Sequence, residues 1–531
     1  MPTPAQGSRI AERILVALCV VGGGVARFVP STPLWLDEAL TVNIAAAPLG
    51  DIHDLLRHDG HPPAFYWLLH VWIDLFGDGA TAVRALSGVL GLVAIGLTYL
   101  VARRLAGPVL ATLAAAVIAT SPYAIRYSSE ARMYELVVVL VLAGWLLLDR
   151  ALAPALAHDR LVDTAAGDPR RARGTPSPLV LVGLAVVSGA LLLTHYWGMF
   201  LLAAVLIVLG IGAWRARGPA RRATVSAAVA LAVGALAFVP WLPTMRYQSE
   251  HTGTPWAPPP RPTRVLSESI ADFTGGLWPE STVLVCVLAV LVTFAVFAQR
   301  ERAGLVVGWL VSDWRRPVIA VTALTMAIGA VAALATDSAY AGRYASVFFP
   351  LVVVLTAAGL ALVAPGWPRV ALLALIALLA AVIVAGNAFR RDRTQAGEVA
   401  AAIVAEAQPG DLVVVCPDQL GPALARLVDV DGVRVVRYPD LGDPRFVDWV
   451  DYLERHEGVD VAAVADRIVA EAGTGSIWLE WSDGYRVVGE QCRELVAHLT
   501  LRRPLVDQPV SADNVEFFEY ASLHRFRPAR P

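Results

Sequence analysis

The sequence predicts a polytopic α-helical membrane protein of about eleven transmembrane helices, followed by a soluble α/β domain at its C-terminal end. Three observations carry this. Apolar runs of spanning length recur up to residue 389 in a chain that is 56% hydrophobic. Arginines gather in alternate loops between those runs. After residue 389 the pattern changes to short β-branched runs alternating with amphipathic segments.

A helix needs about 20 mainly apolar residues to cross a bilayer. Runs near that length cover 14–30, 82–102, 108–124, 133–150, 178–194, 197–214, 223–241, 282–299, 317–336, 344–364 and 370–388. Arg9 and Arg13 precede the first run, and no clear small-residue cleavage site follows it, so it reads as an uncleaved span. Threading the runs from a cytoplasmic N-terminus tests the count. One set of loops then holds Arg103 and Arg104, the Arg170, Arg171 and Arg173 cluster, Arg215, Arg217, Arg221 and Arg222, Arg300, Arg302, Arg315 and Arg316, and Arg369. Short cytoplasmic loops are arginine-rich, and these are.

The other loops, 31–81, 125–132, the His195–Tyr196 turn, 242–281 and 337–343, are then outside together with the tail. Arg390, Arg391 and Arg393 argue the other way for the tail, and one miscounted span would invert it. The aromatic stretch 64–76 is too short to span comfortably, and a span there would break the arginine pattern. Its composition suits a helix lying flat in the outer interface.

The domains expected are therefore a membrane domain over 1–389, with 31–81 as its outer catalytic loop, and a soluble domain over 390–531. Runs 411–416, 433–438 and 476–481 read as strands, and 396–407, 444–456, 460–472 and 487–500 as helices. The tail has no glycine-rich phosphate loop, so nothing in it points to a nucleotide. All 43 basic residues are arginine, and no composition feature points to nucleic acid; the net charge of −2 is uninformative in such a chain. Four cysteines are too few for a disulfide scaffold, and Cys19 and Cys286 fall in apolar runs. Cys416 and Cys492 can pair if the tail faces an oxidising compartment.

Chemistry concentrates in the outer loops. Loop 31–81 carries Asp37, Glu38, Asp51, His53, Asp54, Arg57, His58, Asp59 and His61. Arg126, Arg132 and Arg343 sit outside against the positive-inside bias and so need a reason. An anionic ligand at the outer surface supplies it, because guanidinium groups hold phosphate through paired, charge-assisted hydrogen bonds.

The segments Trp35-Leu36-Asp37-Glu38, His61-Pro62-Pro63-Ala64-Phe65-Tyr66, Ser129-Glu130-Ala131-Arg132-Met133-Tyr134, His195-Tyr196 and Gly342-Arg343-Tyr344 resemble, in order and placement, the GT-C glycosyltransferases of family 39. These are the protein-mannosyltransferase and aminoarabinose-transferase type. The resemblance covers about 1–390 and nothing specific in the tail. It implies inverting transfer from a polyprenyl-phosphate sugar to an acceptor hydroxyl on a glycan, lipid or protein. Asp37 would be the general base and Glu38 its support. Arg132 and Arg343 would hold the phosphate, with Tyr134, Tyr344, His61 and His195 as further donor ligands.

Structural roles compete at each position. Acidic residues favour first helical turns, which accounts for Asp37-Glu38 without chemistry. Proline favours the first turn too, which is the main role expected of Pro62 and Pro63. Arg132 and Arg343 can snorkel from span ends, and His195 can serve a turn. Arg126 and Glu130 read as an ion pair, and Arg57, His53 and His58 as the mostly solvated side of a short helix, 51–58. No cofactor is implied; a divalent metal on His58, Asp59 and His61 matches no specific spacing. The main rival function is a transporter or flippase of a lipid-linked sugar. Such carriers show internal repeats and charges buried mid-span, and here there is no repeat and the charges cluster at span ends.

Overall fold

The computed structural model describes residues 4–29, 32–162, 176–253, 261–301, 304–308, 314–336, 340–390 and 392–528. Arg170, Arg171, Arg173, Arg302 and Arg391 lie outside the described residues. The chain divides into two compact units, each drawn from separate stretches. The first comprises Met1–Val29, Arg84–Leu242 and Pro259–Ala385, and the second Pro30–Val83, Pro243–Pro258 and Gly386–Pro531.

The first unit is helical. Each predicted apolar run carries a helix, and among the described residues seven helices are long and apolar enough to cross a membrane, or eight if one bent pair counts as a span. Proline and glycine punctuate them. Gly107, at φ +83°, ends Ala80–Ala106 in a conformation that suits only glycine well, and Pro108 opens the next helix, where its missing N–H costs nothing. Pro122 breaks that helix again. Pro108–Thr120 and Pro122–Ser128 meet at 60°, because the residue before a proline is driven out of the helical region. The Ser121 side chain accepts from Ala124 N–H at 3.4 Å and caps the second piece. This bend shapes the 121–135 turn. The run 344–364 is also interrupted: Gly342–Val347 is a 3₁₀ turn and Phe349–Leu362 the helix. Side chains such as Leu179, Val182 and Val186 are apolar and exposed, as lipid-facing positions require. A short antiparallel hairpin, Ala298–Glu301 with Gly304–Val307, follows the helix Pro279–Phe297 and was not expected from the sequence.

The second unit is α/β. Its sheet orders Arg434–Arg437, Leu412–Cys416, Ile477–Trp481, Ser522–Arg527 and Leu505–Val510. The first three strands are parallel, with Leu412 opposite Arg434 and Ile477, and the last two run antiparallel to their neighbours. Cys416 and Cys492 form a disulfide. Val413, Val415, Trp478 and Leu523 lie in the core beneath the helix Ala396–Glu406. The three predicted strands are present; the strands 505–510 and 522–527 were missed. The first holds Pro509, which forbids a central position and is tolerated because this strand is at the sheet edge. The predicted helix 444–456 shrinks to Tyr452–Glu457. Before it, the Asp443 and Asp448 carboxylates accept the N–H groups of Arg445 (2.9 Å) and Val450 (3.1 Å), local bonds that compete with a helix.

Loop 31–81 belongs to this second unit rather than to the spans. It forms three helices, Leu36–Ala45, Ile52–Asp59 and Ala64–Phe76. The last buries Phe65, Tyr66 and Leu69 and leaves Trp67, Val71, Leu75 and Phe76 exposed. The tail supplies several of the loop's polar partners. Arg426 donates to Asn43 Oδ1 (3.0 Å) and to the Asp78 carboxylate (2.9 Å), and Asn43 donates to the Arg445 carbonyl (2.9 Å). The short helix at 52–59 is not merely solvated. His53 meets Thr244 at 3.2 Å, Arg57 stacks 4.4 Å over the Tyr247 ring, and His58 Nδ1 is 2.7 Å from Asp448.

Candidate active site

In the first unit, three turns far apart in sequence bring five predicted site residues together. Arg132 follows the bent pair, His195 ends the helix Pro178–Thr194 in an extended conformation, and Arg343 opens the 3₁₀ turn Gly342–Val347. The Arg132 guanidinium lies 5.8 Å from the Tyr134 ring centre, and Tyr134 is 5.9 Å from His195. His195 is 5.2 Å from Tyr344, whose ring is 5.9 Å from the Arg343 guanidinium. A continuous aromatic string thus ends in an arginine at each side. Arg132, Tyr134 and His195 are buried, while Arg343 and Tyr344 are half-buried. His195 Nδ1 accepts from Trp197 N–H at 3.1 Å, which assigns the ring proton to Nε2 and makes that nitrogen a donor.

The turn carrying Arg343 is fixed from two sides. Tyr123 donates its hydroxyl to the Arg343 carbonyl at 3.0 Å. Gly342 packs so closely on the helix Pro262–Phe273 that an added Cβ would stand 2.6 Å from Cβ of Asp272. Asp272 is the residue that the sequence reading missed. It accepts from Arg126 at 3.1 Å and from the Tyr127 hydroxyl at 2.6 Å, beside the expected Arg126–Glu130 pair at 3.4 Å. No signal pointed to it, since its partners lie 146 and 145 residues away.

In the second unit, Asp37 and Glu38 occupy the first turn of Leu36–Ala45. Asp37 is half-buried and Glu38 fully buried. The turn is braced by Thr41, whose hydroxyl donates to the Asp37 carbonyl at 2.6 Å. Its first N–H, on Leu36, donates to both carboxyl oxygens of Glu519, at 3.2 and 3.1 Å. Burial pushes the Glu519 carboxyl up to about 8, with Asp37 adding to the rise, and burial raises neighbouring Glu480 as well. His61 Nδ1 pairs with Asp59 at 2.9 Å, and the Tyr66 hydroxyl donates to the same carboxylate oxygen at 2.7 Å. His58, Asp59 and His61 do not converge, because His58 turns to Asp448. Among the described residues no three of His, Cys, Asp and Glu are grouped to hold a metal ion.

Residues 60–160, which contain His61, Arg132 and Tyr134, match the family of dolichyl-phosphate-mannose-protein mannosyltransferases. No curated protein matches the chain in sequence. The fold is similar to the crystal structure of ArnT from Cupriavidus metallidurans in the apo state, with a TM-score of 0.56 and 13% identity over 96% of this chain and 97% of that one. The same protein bound to undecaprenyl phosphate gives a TM-score of 0.55 and 14% identity over the same shares. Fold and matched segment agree: the chain is a multi-pass membrane protein with the fold of the GT-C glycosyltransferases.

Proposed function

We propose that this protein is an inverting glycosyltransferase that moves a sugar from a polyprenyl-phosphate donor to an acceptor hydroxyl at the outer face of the membrane. The observation that carries the reading is the string Arg132–Tyr134–His195–Tyr344–Arg343, two guanidinium groups joined by ring contacts on turns where the topology favours few cations. An anionic headgroup gives those arginines a purpose, and the similar ArnT fold has been captured with undecaprenyl phosphate.

In this reading the Asp37 carboxylate takes the proton of the acceptor hydroxyl as its oxygen attacks the anomeric carbon. The bond from that carbon to the phosphate oxygen breaks, its electron pair leaves with the polyprenyl phosphate, and configuration inverts. Such base catalysis contributes about 10² to 10⁴ in rate. Arg132 and Arg343 offset the charge that develops on the leaving phosphate. Tyr134, Tyr344 and the His195 Nε2–H donate to donor oxygens, and Glu38, fully buried, supports the Asp37 turn. His61, braced by Asp59 and Tyr66, is the remaining donor ligand. Keeping the isoprenoid chain in the bilayer avoids extracting it, at roughly 0.8 kcal/mol per CH₂. The arginine-rich loops support a cytoplasmic N-terminus, and the Cys416–Cys492 disulfide supports an extracytoplasmic tail.

The test uses membranes carrying the full chain and a panel of polyprenyl-phosphate sugars. Asp37→Asn should abolish transfer, and wild-type rates in that variant would remove Asp37 as base. Arg343→Ala should weaken donor use far more than acceptor use, and the reverse would move the phosphate site elsewhere. A lipid-linked sugar that changes leaflet without transfer would establish a carrier instead.

A further inference from the structure

We propose that Glu519, on the tail strand Phe517–Glu519, is a positioning residue that caps and orients the helix bearing Asp37. The inference rests on Asp37 being the base, and gives the tail a role in the reaction. A helix leaves its first N–H groups without intrahelical partners, and a Ser, Thr, Asp or Asn just before it supplies an acceptor. Leu36–Ala45 has Trp35 there, and no side-chain cap bond is made from that position. The acceptor arrives instead from 483 residues away, as the Glu519 carboxyl at 3.2 and 3.1 Å from Leu36 N.

Asp37 is the next residue, so the direction of its side chain follows from how that first turn is held. The tail grips the preceding residue too. The Trp35 ring meets Phe518 edge-on at 6.0 Å and takes the Arg393 guanidinium at 5.1 Å from its centre. A cap from within the loop would fix only the helix. A cap from the tail fixes the helix against the tail sheet.

The carboxyl is surrounded by groups that respond to its charge. Asp37 faces it from the helix, Arg393 and Thr394 from the strand Asp392–Thr394, Glu480 from Ile477–Trp481, and Tyr485 from the turn after that strand. Held at about 8, mainly by burial, it is neutral near pH 7 and still accepts the N–H. Its ionisation above that pH gives the Leu36 N–H a charged acceptor, at a net cost in stability from burial, and places a negative charge beside Asp37, favouring proton uptake by the base.

The experiment measures kcat, donor KM and melting temperature of the detergent-solubilised full chain as wild type, Glu519→Ala, Glu519→Gln and Asp37→Asn. Glutamine keeps an acceptor but cannot ionise. Glu519→Ala should lower kcat about 10- to 100-fold with donor KM within about twofold, the range expected for a misaligned reacting group. Glu519→Gln should recover most of that loss but lack the rise in kcat expected of wild type near pH 8. Wild-type kcat in Glu519→Ala overturns the proposal. So does equal loss of kcat and melting temperature in both Glu519 variants, which would make the residue a fold determinant only. An inactive Asp37→Asn beside an unimpaired Glu519→Ala removes the positioning role and leaves the base standing. An active Asp37→Asn removes the base, and this proposal with it.

Discussion

Gly342→Ala tests how tightly the Arg343 turn must sit. The added carbon would stand 2.6 Å from Cβ of Asp272, 2.8 Å from the Glu268 carbonyl oxygen and 2.9 Å from an Asp272 carboxylate oxygen. Nonbonded carbons rest at about 3.5–4.0 Å, so the turn and the helix Pro262–Phe273 must part by roughly 1 Å. Two of the three obstacles are backbone-linked and cannot swing away. Crowding of this kind typically costs about 1–3 kcal/mol. The larger consequence is for the next residue, because a displacement of roughly 1 Å at a positioning group can cost about 100-fold in rate. Gly342→Ala should therefore fold but lose one to two orders of magnitude in donor kcat/KM, approaching Arg343→Ala. Steady-state transfer with varied polyprenyl-phosphate sugar measures this. A Gly342→Ala enzyme with wild-type kcat/KM would show that the turn moves freely and that Arg343 does not hold the phosphate by preset geometry.

Two further outcomes follow from the second unit. The Glu519 carboxyl is raised from 4.5 to about 8, so its stabilising contribution is complete below 4.5 and is lost as pH rises through 8. The slope approaches about 1.4 kcal/mol per pH unit within that window, so wild-type melting temperature should fall from pH 5 to 8 and that of Glu519→Gln should fall less; parallel curves would contradict it. Replacing Cys416 and Cys492 by serine opens a loop with a sequence separation of 76 residues. The chain-entropy cost is about 4.5 kcal/mol, so the melting temperature of the tail should drop clearly under non-reducing conditions.

The spans were legible because twenty apolar residues leave little choice. The parallel strands 412–416 and 477–481 were legible for a related reason: strands buried on both faces read as continuous apolar runs. The strand 505–510 was hidden by its proline, and the helix expected over 444–456 is cut to 452–457 by carboxylates that cap their own backbone. At the site, the arginines stood out because threading the runs from a cytoplasmic N-terminus put them where cations are few. Asp272 and Glu519 violated nothing. Acidic residues between spans and in tails are ordinary, and only the fold shows that one steadies Arg126 while the other caps a helix 483 residues upstream.

The second unit is assembled from three stretches, Pro30–Val83, Pro243–Pro258 and Gly386–Pro531, and this sets a schedule for its maturation. Roughly 300 residues separate the first stretch from the last, which at about 5–20 residues per second is a wait of some 15 to 60 seconds during synthesis. For that interval the helix with Asp37 has neither its Glu519 cap nor the Arg426 bonds to Asn43 and Asp78. The tail arrives last and completes a loop that was made first. Loop 31–81 therefore gains these tail contacts only after the apolar helices of the first unit have been synthesised.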